Sequence, residues 1–302
     1  MFKSLFIILL ILPVFIFSQE TNTDTTLSRQ MVEIITYDNN EYIGYLSSEN
    51  DETITITTLD GINIMIPKAS IVKQAEFYGK SEAGKILRAD PNKSMYMFAP
   101  SAFPIGHQKS YCRDFCVVFP SYNRGFGDNI SVQMGAFWFP GVPFDETPLV
   151  GSVKMSLPSI AKTQFAGGIM YVRLPGFGAT SRDKSRDDDE NIGMGFTFIT
   201  GTIGDNFTHA SASIGWGYSQ VEGEWDFMDE PILVLAGNYR SSDRFALIYE
   251  GWFFPEAEIE TQPMTGAIRF LGKRFSFDFG GIFIMEMEGV PFPIINFTYY
   301  LN

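Results

Sequence analysis

The chain of 302 residues is poor in the side chains that most enzyme and metal chemistry needs. It has two cysteines and two histidines. If Cys112 and Cys116 share a strand, they lie on one face about 13 Å apart, at roughly 3.3 Å per residue. A disulfide needs Cα atoms within about 7 Å, so both are read as unpaired thiols. No histidine or third cysteine stands near them in sequence, so no metal is expected and no cofactor is called for. Basic clusters are also missing. With a net charge of −13 and no Lys/Arg face to displace counterions, nucleic acid is excluded as a partner. Beyond the N-terminus there is no apolar run of the roughly 20 residues that a spanning helix needs. Any membrane crossing must therefore use strands.

The N-terminus has the layout of an export signal. Met1, Phe2 and Lys3 give a short positive start, Leu5 to Phe17 is almost purely apolar, and Ser18 is a small-residue boundary. Residues 1–18 are read as a cleaved signal peptide. With no cysteine at the boundary, a lipoprotein is not expected. The polar, Thr-rich residues 19–30 read as a linker.

What the mature chain has in abundance is aromatic residues and glycine, with 29 Phe, 13 Tyr and 28 Gly, which favour strands and turns over helices. Residues 31–78 read as five short strands: Val32–Tyr37, Glu41–Ser48, the strictly alternating Thr53–Thr58, Ile62–Ile66 and Ile71–Phe77. Asp60-Gly61 marks a hairpin turn between the third and fourth. Five strands in so short a span resemble an SH3-like or Sm-like small barrel. The fold names no function. Two roles stay open: a periplasmic module with a partner of its own, such as a peptide or cell-wall component, or a spacer or plug that steadies the larger C-terminal part of the chain. Residues 79–93 read as a connector, with a short helix over Ser81–Leu87.

Residues 94–302 predict twelve strands, beginning near Ser94, Ser110, Asn129, Thr147, Lys162, Asn191, Asn206, Asp229, Arg244, Gln262, Arg274 and Pro291. Long and short connections alternate between them. Short ones hold Gly125–Asp128, Pro158-Ser159, Gly204–Asn206, Ser241–Asp243 and Gly272-Lys273; long ones include Pro104–Lys109, Pro140–Glu146 and Pro175–Glu190. Outer-membrane barrels do this, with short periplasmic turns, longer outer loops and an even strand count. The fold class is thus all-β: an antiparallel up-and-down transmembrane barrel of about 12 strands behind a five-stranded SH3-like domain. The expected location is the outer membrane, with the small domain in the periplasm.

The strand faces agree. Ala212, Ile214, Trp216 and Tyr218 share one face, and Ser211, Ser213, Gly215 and Gly217 the other. A tight turn at Gly272-Lys273 would pair Phe270 with Phe275 and Ile268 with Phe277. Apolar faces would meet outer-membrane lipid, and Trp138, Tyr171, Trp216, Tyr218, Trp252 and Tyr299 stand near strand ends, where aromatic girdles belong. The last strand, Ile294–Asn302, resembles the aromatic-rich C-terminal strand that such barrels present to the barrel assembly machinery. It departs from the usual aromatic end by finishing Tyr300-Leu301-Asn302.

The polar residues with interior parity are Gln133, Lys154, His209, Ser211, Glu250, Arg269 and Asp278. They line either a wall-steadying network or a porin-like passage selecting solutes by charge. His209-Ala210-Ser211 has the His-x-Ser spacing of barrel lipid hydrolases, but it carries interior parity where those families face lipid. A barrel lipid hydrolase is therefore the weakest alternative, and a soluble exported β protein that buries its aromatic faces is the stronger one. Asp187–Glu190 lacks the spacing of a calcium loop and reads as a solvated outer loop. Tyr96–Pro104, with Pro91-Asn92 and Gly127–Ser131, resembles a group of uncharacterised Gram-negative outer-membrane barrels with an SH3-like domain ahead of the barrel. The resemblance implies architecture and no activity. The reading is a non-enzymatic barrel that passes or binds a small solute, or serves structurally.

Overall fold

The computed structural model describes residues 31–77, 79–82, 85–88, 90, 92–138, 141–143, 146–175, 192–221, 224–255, 257–272, 274–286 and 291–301. The expected signal peptide, the linker and the acidic run Asp187–Glu190 lie outside the described residues. The chain divides into two compact units, Met1–Ala89 and Asp90–Asn302.

The first unit is a five-stranded antiparallel sheet of β1 (Met31–Thr36), β2 (Glu41–Glu49), β3 (Thr53–Thr57), β4 (Asn63–Pro67) and β5 (Ile71–Glu76), in the order β4-β3-β2-β1-β5. Val32, Ile34, Ile54, Ile56 and Ile66 form its core, one from every second position as the pleat requires. Gly61, at φ 80°, makes the turn between β3 and β4, where a side chain would strain the left-handed backbone. The expected helix over Ser81–Leu87 is instead a two-stranded ladder, β6 (Gly79–Glu82) with β7 (Lys85–Arg88). An isolated helix this short is marginal in water. The ladder ends where Arg88 meets Glu33 at 3.2 Å and Glu41 at 2.6 Å. Burial, and then the neighbouring Glu41, push the Glu33 carboxyl above its ordinary pKa, against the pull of Arg88.

The second unit is a closed antiparallel barrel of twelve strands. Its wall is β8 (Ser110–Phe115), β9 (Phe119–Phe126), β10 (Ile130–Ala136), β11 (Leu149–Ser156), β12 (Thr163–Leu174), β13 (Ile192–Gly204), β14 (His209–Val221), β16 (Ile232–Arg240), β17 (Phe245–Phe253), β18 (Met264–Leu271), β19 (Phe275–Phe283) and β20 (Phe292–Tyr300). β20 pairs with β8 to close it. A thirteenth strand, β15 (Glu224–Phe227), pairs with the end of β14 along the edge that β16 takes further down.

The strand count is as expected, but the first two strands are not. Ser94 begins no wall strand, and Ser110–Phe126 is a hairpin rather than one strand. Pro100 and Pro104 lack the N–H that a ladder needs, which argues against a central strand there. The β8–β9 turn is tight, with Cys116 and Val117 both at positive φ, 55° and 64°, as in a type I′ hairpin. It lies on the rim of the long loops, so that rim carries one short connection. Pro104–Lys109 leads into β8 on the opposite rim, where Lys109 O accepts from Gly125 N at 2.9 Å. Leu301 N donates to Ser110 O at 3.1 Å, so both barrel ends stand on the short-turn rim.

The hairpin at Gly272 also differs. Gly272 N donates to Phe275 O at 2.8 Å, closing a four-residue turn, so Phe270 pairs with Phe277 and Ile268 with Phe279. A two-residue slip leaves the faces unchanged. It places Arg269 directly opposite Asp278 rather than diagonal to it.

Outward positions carry exposed apolar side chains around the ring, among them Met134, Val153, Ile169, Ile199, Leu247, Phe279 and Phe297. On the short β8 the outward positions include Cys112 and Asp114. Both cysteines are free. Aromatic rings fill the gaps opposite glycines. Tyr218 lies across from Gly195 and donates to Met170 O at 2.9 Å, while the rings of Trp225 and Phe227 of β15 pack beside it. A Cβ on Gly195 would stand 2.2 Å from Met170 O and 2.3 Å from the Tyr218 ring; on Gly151 the nearest atom would be 4.0 Å away. Gly195→Val should therefore cost about 2–3 kcal/mol of unfolding free energy, by urea titration in lipid vesicles. Gly151→Ala should stay within about 0.5 kcal/mol of the parent in the same titration.

Candidate functional site

The barrel interior is occupied by the chain's own residues 92–105, with Asp90 ahead of them. This segment enters at the short-turn rim, rises, turns over at Tyr96–Ala99 and returns to the same rim. The turn is closed by Tyr96 N donating to Ala99 O at 2.9 Å, with Met95 bridged to Pro100. Asp90, Asn92, Ser94, Tyr96, Met97, Ala99, Ser101 and Ala102 are all essentially inaccessible to solvent. A segment with neither strand nor helix leaves its peptide groups to find other partners. Here the wall side chains supply them.

Each candidate residue can be placed in this arrangement. The Glu250 carboxylate accepts the backbone N–H groups of Met97, Phe98 (2.7 Å) and Ala99 (3.2 Å), capping the turn, and also accepts from Trp252 Nε1 at 3.2 Å. Trp252 thus points inward, as its parity with Glu250 suggests. Lys154 Nζ donates to three carbonyls of the segment: Ser94 O at 2.9 Å, Ser101 O at 2.7 Å and Phe103 O at 2.9 Å. Those are all the protons an ammonium has.

Arg269 is the centre of the polar floor. Its Nε and Nη2 grip Asp278 at 2.7 and 2.9 Å, its Nη1 holds Asp90 at 2.8 Å, and Nη2 also reaches Tyr96 O at 3.3 Å. Asn296 adds a bond to Asp278 at 2.6 Å and accepts from Arg113 Nε at 2.8 Å. Arg113 then donates to Met97 O. The side chains of Arg269, Asp90 and Asp278 are 0–1% exposed.

His209 and Ser211 share the interior face but not a bond. Ser211 Oγ pairs with Tyr96 OH at 2.6 Å and Thr202 Oγ1 at 2.7 Å, while His209 Nδ1 pairs with Asp205 O at 3.0 Å. The imidazole is wedged between the rings of Tyr96 and Phe103. No base is thus directed at the Ser211 hydroxyl, and both groups are buried beneath the segment. Gln133 stands higher, where its Oε1 accepts from Ser152 Oγ at 3.4 Å. Among the described residues, no three His, Cys, Asp or Glu side chains come together as a metal site.

Sequence reading missed Asp90, Arg113, Asn123, Thr202 and Asn296. Arg113 and Asn296 have interior parity once β8 and β20 are in register. The signal for the re-entrant segment was Pro100 inside the strand expected from Ser94.

The interior has two tiers. Toward the short turns it is polar, with Arg269, Asp278, Asn296, Thr298, Asn238 and His209. Toward the long loops it is apolar, with Phe196, Phe198, Ile232, Val234, Ile248 and Ile294 packed on the turn at Met97–Ala99.

No protein-family model and no curated protein matches the sequence. Solved structures similar in shape include three forms of OmpT, an outer membrane protein of Vibrio cholerae. The loop L8 deletion mutant is 13% identical at a TM-score of 0.34, over 90% of this chain and 96% of that one. The outer-membrane expressed protein is 11% identical at 0.34, over 90% and 95%, and the in-vitro folded trimer form 12% at 0.34, over 90% and 96%.

Proposed function

We propose that this chain is a non-enzymatic outer-membrane β-barrel whose lumen is closed by its own residues 92–105, so that it holds or admits a small solute without passive conduction. The observation that carries the reading is the set of bonds from Glu250, Lys154, Arg113 and Arg269 to the re-entrant segment. A charge-lined aqueous passage would leave those groups to water; here they are spent on peptide groups. The membrane part rests on the apolar exterior of a closed barrel, the only strand architecture without unpaired edges in lipid. Outer-membrane lipid is then the partner of that exterior, and β20 the strand offered to the assembly machinery. In such barrels the short turns face the periplasm, and in this reading residues 31–78, ahead of the entry at Asp90 on that rim, belong on the same side. An SH3-like identity for the first unit rests on its strand order and on the 3-10 turn Lys68–Ser70 ahead of β5.

Fractionation tests the location: the chain should need detergent for release, and recovery in the soluble periplasmic fraction would sink the membrane reading. Conductance tests the closure. In planar bilayers the parent should show no steady current, and Glu250→Ala, which strips the turn of its acceptor, should show intermittent openings. A steady parent current would overturn it.

The floor gives a third expectation. Arg269→Met leaves Asp90 and Asp278 buried without a cation and should cost about 3–5 kcal/mol of unfolding free energy. Adding Asp90→Asn and Asp278→Asn should restore most of the loss in the same titration.

A further inference from the structure

β16 and β17 are paired as far as Leu233 and Phe253, so the connections that leave them on the long-loop rim rise side by side. Between those connections lies an open groove of about 430 Å³, lined by Met228, Asp229 and Glu230 on one side and by Phe254, Pro255 and Ala257 on the other. That is the size of a site for a small organic molecule. Both sides are held in place. Gln262, buried beneath the second connection, accepts from Phe254 N at 2.8 Å and donates to Phe254 O at 3.0 Å and Ala257 O at 2.7 Å. Met228 N donates to Gly217 O at 3.0 Å, and the Met228 thioether lies against Gly217, where a Cβ would meet its sulfur at 2.6 Å. The groove is thus a shaped feature of the rim and not a gap between two unsupported loops.

Charge selects what can enter. The three connections that follow β14 on this rim, residues 222–231, 254–263 and 284–291, hold ten carboxylates and no Lys or Arg. From Asn191 to the C-terminus the five cations are Arg240, Arg244, Arg269, Lys273 and Arg274, four at the short turns and one in the polar floor. Asp229 and Glu230 line the groove without an ion-pair partner among the described residues. A field of one sign repels anions and gathers cations. A bare metal ion is poorly served, because calcium takes about 6–8 oxygens and the rest of the lining is apolar. Met228 and Phe254 leave large apolar surfaces exposed there. The complement of this lining is a cation that carries an apolar body.

We propose that this groove binds a small organic cation, a protonated amine on an aromatic or other apolar body. The ammonium lies between the carboxylates of Asp229 and Glu230. The body covers Met228, Phe254 and Pro255, and Phe254 offers a ring to the same charge. The inference goes beyond the closed-lumen reading: it rests on the barrel fold and not on the lumen being shut.

The full chain in nanodiscs of zwitterionic lipid can be titrated with 4-fluorophenethylamine and followed by fluorine NMR. Binding should saturate, and should weaken several-fold as NaCl rises from about 0.05 to about 0.5 M, as screened charges require. The neutral 2-(4-fluorophenyl)ethanol keeps the ring, loses the charge and should bind roughly 10-fold more weakly. The substitutions that test the site fall on exposed side chains, so the fold is kept. Asp229→Asn with Glu230→Gln should bring the amine down to the level of the alcohol, and Phe254→Ala should weaken both compounds. Glu258→Gln, on the same rim but outside the lining, should change the amine's affinity by less than about 2-fold. Signals no different from those of empty nanodiscs would mean partition into lipid alone and would overturn the site. An amine affinity that the double variant leaves unchanged, or that falls equally with Glu258→Gln, would replace the groove by a diffuse field and overturn it too. Calcium alone binding at the same carboxylates, with no saturation by the amine, would make this a metal site and overturn the organic cation. A steady parent current alongside saturable amine binding would sink the closed lumen and leave this inference standing.

Discussion

The bidentate grip of Arg269 on Asp278, extended to Asp90, is the interaction on which the barrel interior depends. Three ionised groups taken out of water are tolerable only if each is paired and its remaining lone pairs and protons are used. Asn296 and Tyr96 O take up what is left. Because Asp90 precedes the barrel in sequence and Asp278 belongs to its wall, one guanidinium ties the entry of the re-entrant segment to β18 and β19. The other contacts build on that anchor. Lys154 gathers both limbs of the segment, Arg113 takes Met97 O, and Glu250 caps the turn above them.

The wall makes room for this filling in a consistent way. Twelve strands lie between small barrels of about 8, whose side chains fill the interior, and the 16–18 of open porins. Their own side chains leave a gap of about one chain hairpin, and the segment supplies it. The wall is tallest at β12–β14, with strands of 12 and 13 residues, and lowest at β8, with 6. Where outward positions carry glycine, rings from the neighbouring strand lie across it, as Tyr218 does over Gly195 and Tyr249 over Gly237. That keeps the outer face continuous where a side chain is absent.

Polar floor and apolar upper tier divide the lumen by chemistry. Charged wall groups that would select solutes in a conducting pore are consumed by the segment below. Above it stand rings and thioethers, among them Phe196, Phe198, Trp252 and Met170. Function is therefore to be sought on the loop side of the segment, and in what moves it, rather than in charge selection along the axis.

The period-2 alternation, the turn residues and the long and short connections were enough to determine an all-β chain with a twelve-strand barrel and a five-strand unit before it. Each of these is local: a side chain's face follows from counting by two, and a turn from its Gly, Asn or Asp. The same parity put Glu250, Arg269 and Asp278 on the inner face. The tertiary structure alone decided that residues 92–105 enter the barrel, that β8 and β9 form a hairpin, and that Arg269 meets Asp90. Those outcomes depend on which distant groups can satisfy buried peptides and charges. Asp90 and Arg269 are 179 residues apart, and only closure of the ring brings them within 2.8 Å.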